Sequence, residues 1–213
     1  MIRCCIFDAD GTLLDSMPMW RDITYQYAAD KGIQAPQGLH NTINRLSVEL
    51  GQYALEGYRT QVEEKPQARE FLQLLKENHI PVAVATASNR EGVELALERL
   101  GMLPFVDRFA TCGEVGKSKE HPDIFLHCAG KFGAAPEESV VFEDSAYAIR
   151  TAKAAGFPVV AVEDPISQQG KGEGETREGI AGLADLSIQS YGELIGKLLP
   201  AEDLSQNLGD LLG

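Results

Sequence analysis

The chain has few cysteines, no excess of positive charge and no long apolar run. Its four cysteines, Cys4, Cys5, Cys112 and Cys128, form no C-x-x-C pair and none of the spacings of a zinc site or disulfide framework. Thiolate metal centres and disulfide-stapled scaffolds are therefore excluded. Cys4 and Cys5 lie in an apolar stretch and are expected as small buried hydrophobes. Asp and Glu outnumber Lys and Arg by 32 to 19, a formal net charge of −13. Nucleic acid and anionic membranes are gripped by basic patches, so this balance points to neither as a partner. A small phosphorylated metabolite stays compatible with it, because a metal ion and one lysine reverse the field locally. No stretch approaches the roughly 18 apolar residues of a membrane helix. The start of the chain lacks the apolar core and cleavage site of a secretory signal. Internal repeats and low-complexity segments are absent as well. The expectation is a cytoplasmic protein, a monomer or weak homodimer.

What is present is a regular alternation of strands and helices. At 213 residues the chain exceeds one typical domain and falls short of two, which suits one domain carrying an insertion. An apolar run at residues 2–7 reads as a buried strand. From Pro66, placed to open a helix at its first turn, helices and strands follow in turn. The strands are expected at about 80–86, 108–112, 139–143 and 157–162, with a weak one near Leu186–Ile188. The helices between and after them fall at about 89–100, 121–132, 145–155, 191–198 and 202–212. Such alternation predicts an α/β fold with a doubly wound parallel-sheet, Rossmann-like core. Residues 16–65 interrupt it with helical periodicity only. They read as a small helical insertion between hinges near Asp15–Ser16 and Lys65–Pro66, in a core of residues 1–15 and 66–213. The last helix, amphipathic, is expected to cover its own domain. The glycine-rich run at 170–175 lacks the spacing of a phosphate-binding loop and reads as a surface loop.

Polar residues at strand ends carry the chemistry. Asp8 and Asp10 close the first strand ahead of Gly11, although Asp is depleted within strands. Open α/β sheets bind ligands at the carboxyl ends of their strands. Two carboxylates this close repel unless a cation lies between them or one holds a proton. That suits one carboxylate as nucleophile and metal ligand and the other as general acid and base. Thr86 ends the second buried strand, where its hydroxyl can donate to a phosphate oxygen or cap the next helix. Lys119 lies in a loop, a compact point charge suited to one phosphate oxygen and one carboxylate. Glu143 and Asp144 follow an apolar strand, and their hard oxygens suit magnesium. Asp144 is also a natural helix cap, and Asp123 is expected to cap the helix it begins.

The run FDADGTLLDS at residues 7–16 resembles the first motif of the haloacid dehalogenase superfamily, β-phosphoglucomutase-like phosphatase branch. That family carries three further motifs in a fixed order. Thr86 fills the second. Lys119, three residues before Pro122, Asp123, Ile124 and Phe125, fills the third, with Glu120 and His121 where Pro and Ala are usual. Glu143 and Asp144 fill the fourth. The resemblance implies a magnesium-dependent phosphatase that forms an aspartyl-phosphate on Asp8, with Asp10 as acid and base. Thr86 and Lys119 would hold the phosphate. Asp8, Asp144 and the backbone carbonyl of Asp10 would hold magnesium, with Glu143 as a further ligand or an orienting neighbour. A halide-displacing enzyme is not implied, because that branch lacks the second aspartate. The mutase relatives place a histidine five residues beyond the aspartate that corresponds to Asp15. Trp20 stands there instead, which weakens a phosphosugar-mutase reading. The helical insertion takes the place of the family's mobile cap. Within it Met17, Met19 and Trp20 are candidates for an apolar wall over the substrate. Arg45 is a candidate for a second anionic group. A Schiff-base lysine is not in evidence, since Lys31 and Lys65 sit at helix ends.

Overall fold

The apolar run at the N-terminus forms β1 (Cys4–Phe7), the strand on which the whole sheet is centred. The computed structural model describes residues 1–30, 32, 48–166, 177–199 and 203–213. After β1 come the short β2 (Leu14–Asp15) and β3 (Glu63–Glu64), then β4 (Val82–Thr86), β5 (Arg108–Thr111), β6 (Ser139–Glu143), β7 (Val159–Val162) and β8 (Leu186–Ile188). Six strands make one parallel sheet in the order β5-β4-β1-β6-β7-β8. Strand order reverses at β1, so a crevice opens between the loops after β1 and β6, where α/β sheets bind ligands.

Side chains alternate between the two faces of the sheet, as the period of a strand requires. Cys5 and Phe7 of β1 enter one core with Val82, Val84, Phe142 and Val160, under the helices Ala68–Glu77, Arg90–Arg99 and Tyr191–Leu198. Cys4 and Ile6 enter the other with Ala83, Ala85, Val141 and Val159, under the helices Asp123–Lys131 and Ala146–Ala154. Both faces are covered, so the strands are apolar throughout, as buried parallel strands are. The last helix, Leu204–Leu212, buries Leu204 and Leu208 in the first core, and Ser205 donates to the Ile2 carbonyl at 2.5 Å. The C-terminal helix thus covers its own sheet.

Between β2 and β3 the described residues form the helices Met17–Asp30 and Val48–Thr60. β2 and β3 pair antiparallel, Leu14 with Glu64 and Asp15 with Glu63, and bring the two chain crossings together. The two helices meet through Tyr27 and Tyr53, whose rings pack edge to face at 6.4 Å. Tyr53 also donates to Asp30 at 2.7 Å. Gly57 provides the space for Met19, since a Cβ there would lie 2.5 Å from its Cγ and Sδ. Lys65 is buried and pairs with Asp164, beyond β7, at 2.7 Å, which ties the return crossing to the sheet.

Several helix starts differ from the sequence expectation. Pro66 precedes its helix rather than opening it. Gln67 takes a left-handed conformation (φ 59°) and Ala68 is the first helical residue, because the Pro66 carbonyl accepts from Tyr191 N at 3.0 Å. Asn89 caps the helix Arg90–Arg99 by accepting from Glu91 N at 2.9 Å, which frees Thr86 and Ser88 from that role. Pro122 occupies the cap before Asp123, and the Asp123 carboxylate pairs with Lys117 at 2.8 Å instead. Arg45 and the 170–175 run lie outside the described residues.

Candidate active site

Asp8, Thr86, Glu143 and Asp144 all stand at the carboxyl edge of the central strands, and the Lys119 loop folds over them. Asp8 N donates to Phe142 O at 2.9 Å, continuing the β1–β6 ladder one residue past β1. This register sets Asp8 beside Glu143. Lys119 is buried and donates to Asp8 Oδ1 and, at 2.6 Å, to Glu143 Oε1. The other Glu143 oxygen accepts from Asp144 N and Ser145 N, both at 2.9 Å. Both oxygens of Glu143 are thus engaged, and the side chain fixes Lys119 while squaring the turn that carries Asp144.

Asp8, Glu143 and Asp144 offer carboxylate oxygens within 4.8 Å of one another, all buried. Gly11 makes this approach possible. It adopts φ +81°, and a Cβ there would fall 2.5 Å from Asp144 Oδ2. Burial drives the Asp8 carboxyl well above the usual carboxylate range; the Lys119 ammonium opposes this, and the Glu143, Asp144 and Asp10 charges add to it. Burial alone would lower the Lys119 ammonium, but Asp8 and Glu143 outweigh it and hold it above its ordinary value. Three buried carboxyl groups around one ammonium make a pocket of hard oxygens. That donor set fits a hard divalent cation and not a soft, thiolate-seeking one.

Asp10 faces a different environment. Its Oδ1 accepts from Ser16 Oγ at 2.6 Å, Tyr58 Oη at 2.6 Å and Trp20 Nε1 at 3.3 Å. Its Oδ2 accepts from Ser88 Oγ at 2.6 Å. Burial, reinforced by the Asp10 charge, lifts the Tyr58 phenol well above its ordinary value, so it stays a donor. Thr86, fully buried, accepts from Ser88 N at 3.0 Å and so orders the loop that supplies Ser88. Next to Trp20 and Tyr58 lies a cavity of about 210 Å³, walled also by Ala54, Leu55, Asn89 and Gly92.

The sequence-predicted residues Asp8, Thr86, Lys119, Glu143 and Asp144 are thus gathered at one edge, with Asp10 beside them. Trp20 lines the cavity and donates its indole N–H as well. The sequence reading did not connect Ser16, Tyr58 or Ser88 with Asp10. Ser88 was visible only as a cap candidate, and nothing in the spacing of Tyr58 pairs it with a residue 48 positions earlier.

A family model of haloacid dehalogenase-like hydrolases matches residues 37–156, more than half of the chain, a span that includes Thr86, Lys119, Glu143 and Asp144. The chain belongs to this family. Fructose-1-phosphate phosphatase YqaB of Escherichia coli K12 is 33% identical over 74% of this chain and 94% of its own length. Hexitol phosphatase B of the same organism is 29% identical over 92% of this chain and 96% of its own. Among solved structures, CbbY from Rhodobacter sphaeroides in complex with phosphate superposes with a TM-score of 0.71 at 22% identity, covering 91% of this chain and 96% of that one. This last likeness concerns the fold. Together the matches place the chain in the phosphatase branch of the family, as a phosphoric monoester hydrolase.

Proposed function

We propose that the protein is a magnesium-dependent phosphatase that hydrolyses a small phosphorylated metabolite through an aspartyl-phosphate on Asp8. The observation that carries this reading is the division of labour between the two aspartates. Asp8 lies among Lys119, Glu143 and Asp144, whereas Asp10 is turned to hydroxyl and indole donors. Asp8 Oδ attacks phosphorus in line as the bond to the leaving oxygen breaks, and Asp10 delivers the proton that this oxygen needs. Water then attacks the phosphorus and gives its proton to Asp10. The Asp8–phosphorus bond breaks and phosphate departs. Lys119 neutralises an equatorial oxygen. Thr86 donates its hydroxyl proton to another, its oxygen being held by Ser88 N. Asp8, Asp144 and the Asp10 carbonyl would hold magnesium, with Glu143 orienting from behind. The ion supplies neutralisation of charge between Asp8 and the phosphoryl group.

Residues 16–65 act as the cap and residues 1–15 and 66–213 as the catalytic core in this reading. The relatives named fructose-1-phosphate and hexitol phosphatases support a phosphorylated sugar or polyol as substrate. Trp20 borders the leaving group from the cavity wall. Arg45, as the reader of a second anionic group, rests on the sequence alone. The enzyme is taken to act in the cytoplasm as a monomer or weak homodimer; among the described residues no helix is long and apolar enough to cross a membrane. The test is phosphate release from a panel of sugar and polyol phosphates, with magnesium and with a chelator, for wild type and Asp8→Asn. Metal-dependent release that vanishes in the variant supports the reading, and release that survives in Asp8→Asn refutes it.

A further inference from the structure

We propose that Tyr58 is a positioning residue: its hydroxyl, donated to Oδ1 at 2.6 Å, holds the Asp10 carboxylate so that Oδ2 is the oxygen left to face the substrate. This rests on the phosphatase reading above. Three donors converge on Oδ1: Ser16 and Tyr58, each at 2.6 Å, and Trp20 at 3.3 Å. A carboxylate oxygen offers about two in-plane lone pairs, so Oδ1 is saturated. Oδ2 accepts only from Ser88 among the described contacts and keeps a lone pair for the leaving oxygen and for water. In the first step the proton on Oδ2 passes to the leaving oxygen as its bond to phosphorus breaks. In the second step Oδ2 takes a proton from the attacking water.

The donors come from separate parts of the chain. Ser16 stands at the first crossing, Trp20 on the helix Met17–Asp30 and Tyr58 on the helix Val48–Thr60. Ser88 belongs to the core, after β4. Asp10 is therefore clamped between core and insertion, and its orientation depends on both. The clamp has a built seat. Tyr58 is only 1% exposed, and its ring lies where Gly92 lacks a side chain. A Cβ on Gly92 would fall 2.6 Å from Tyr58 Cδ2, too near for a ring atom to yield without moving the whole ring. The ring also packs edge to face with Trp20, centroids 6.2 Å apart.

Two substitutions reach the same contact from different directions. Tyr58→Phe removes the hydroxyl and keeps the ring; Gly92→Ala keeps the hydroxyl and displaces the ring. The readout is kcat/KM, with a sugar phosphate and with p-nitrophenyl phosphate in parallel. The sugar alkoxide needs its proton during bond breaking, whereas p-nitrophenolate leaves with little help. Each variant is expected to lose about tenfold on the sugar phosphate and several-fold less on p-nitrophenyl phosphate. The double variant is expected to lose no more than Tyr58→Phe alone, because both act on one contact. Equal losses on the two substrates, independent multiplying losses in the double variant, or no loss at all would overturn the proposal. Either single variant carries the substrate comparison if the other does not fold, as thermal melting reports. Asp8→Asn and Asp10→Asn run alongside: full activity in those two defeats the assignment of Asp8 as nucleophile and Asp10 as acid and base on which the proposal rests, whatever Tyr58→Phe shows.

Discussion

Replacing Gly11 by alanine isolates the packing that brings Asp144 to the metal pocket. Gly11 has φ +81°, and an added Cβ would meet Asp144 Oδ2 at 2.5 Å and its Cγ at 2.8 Å. Two costs follow. The left-handed backbone disfavours any side chain by about 1–2 kcal/mol. The contact then forces the Asp144 carboxylate to move, since a Cβ cannot retreat along a fixed backbone. Gly116 separates the two: it has φ +78°, but an added Cβ there would meet nothing within 4 Å. Gly116→Ala should therefore show the backbone cost alone, about 2–8 °C in Tm at ~2–4 °C per kcal/mol for a chain of this size. Its magnesium affinity should match wild type. Gly11→Ala should lose at least as much stability and bind magnesium at least about tenfold more weakly, the factor seen when an orienting neighbour of a metal ligand is disturbed. Thermal melting and calorimetric magnesium titration on the three proteins decide it. Wild-type magnesium affinity in Gly11→Ala would refute the reasoning, because Asp144 would then not depend on that approach.

Magnesium should stabilise the protein more as pH rises. Burial raises the Asp8 carboxyl above its unfolded value, so the folded chain holds that proton more tightly than the unfolded one. The metal-free protein therefore loses stability as pH rises from about 4 through the raised Asp8 value. The ion requires ionised carboxylates and offsets that loss, so the Tm difference with and without magnesium should grow between about pH 5 and 8; a difference that shrinks contradicts this. Burial pushes the Cys128 thiol up to about 12 and also raises Cys4, Cys5 and Cys112. At about pH 8 the thiolate that reacts is scarce, so iodoacetamide should label the native protein slowly, at half-buried Cys112 first, and all four cysteines only after denaturation. Rapid native labelling of Cys128 would count against the burial argument. Lys65→Met leaves buried Asp164 without its ammonium and should cost about 3–5 kcal/mol of stability, measured by denaturant unfolding; a cost within about 0.5 kcal/mol would show that the pair is not load-sharing at the return crossing.

The sheet was legible because its strands are buried on both faces. Uninterrupted runs such as those of β4 and β6 have no other reading between helices of regular period. β6 and β8 fall on the expected residues, as does the helix Tyr191–Leu198. Helix starts were less legible, because a cap is decided by tertiary competition for backbone groups. Pro66 surrenders the first-turn role since its carbonyl is taken by Tyr191, 125 positions later. The strand-end positions of Asp8, Thr86, Glu143 and Asp144 were readable from the apolar runs before them, but type and position alone left Thr86 and Asp144 open to a helix-capping role; the resemblance joined them into one candidate site. Lys119 was readable only through the resemblance. Nothing local distinguishes it from Lys117, which faces outward and pairs with Asp123. The clamp on Asp10 was not readable at all. Ser16, Tyr58 and Ser88 reach it from three elements, and such convergence leaves no period or spacing in the sequence. Gly92 likewise carries no signal until the Tyr58 ring is seen against it.

The most direct test of the central claim is to find the phosphoryl group during turnover. Wild type and Asp8→Asn are mixed with magnesium and a substrate that releases phosphate, quenched in acid within the first turnover, digested and analysed by mass spectrometry. The account predicts a phosphoryl adduct on the peptide that contains Asp8, localised to that side chain and sensitive to hydroxylamine as an acyl phosphate must be, and no adduct in Asp8→Asn. An adduct on another residue, or first-turnover phosphate release that leaves Asp8 unlabelled, would contradict it.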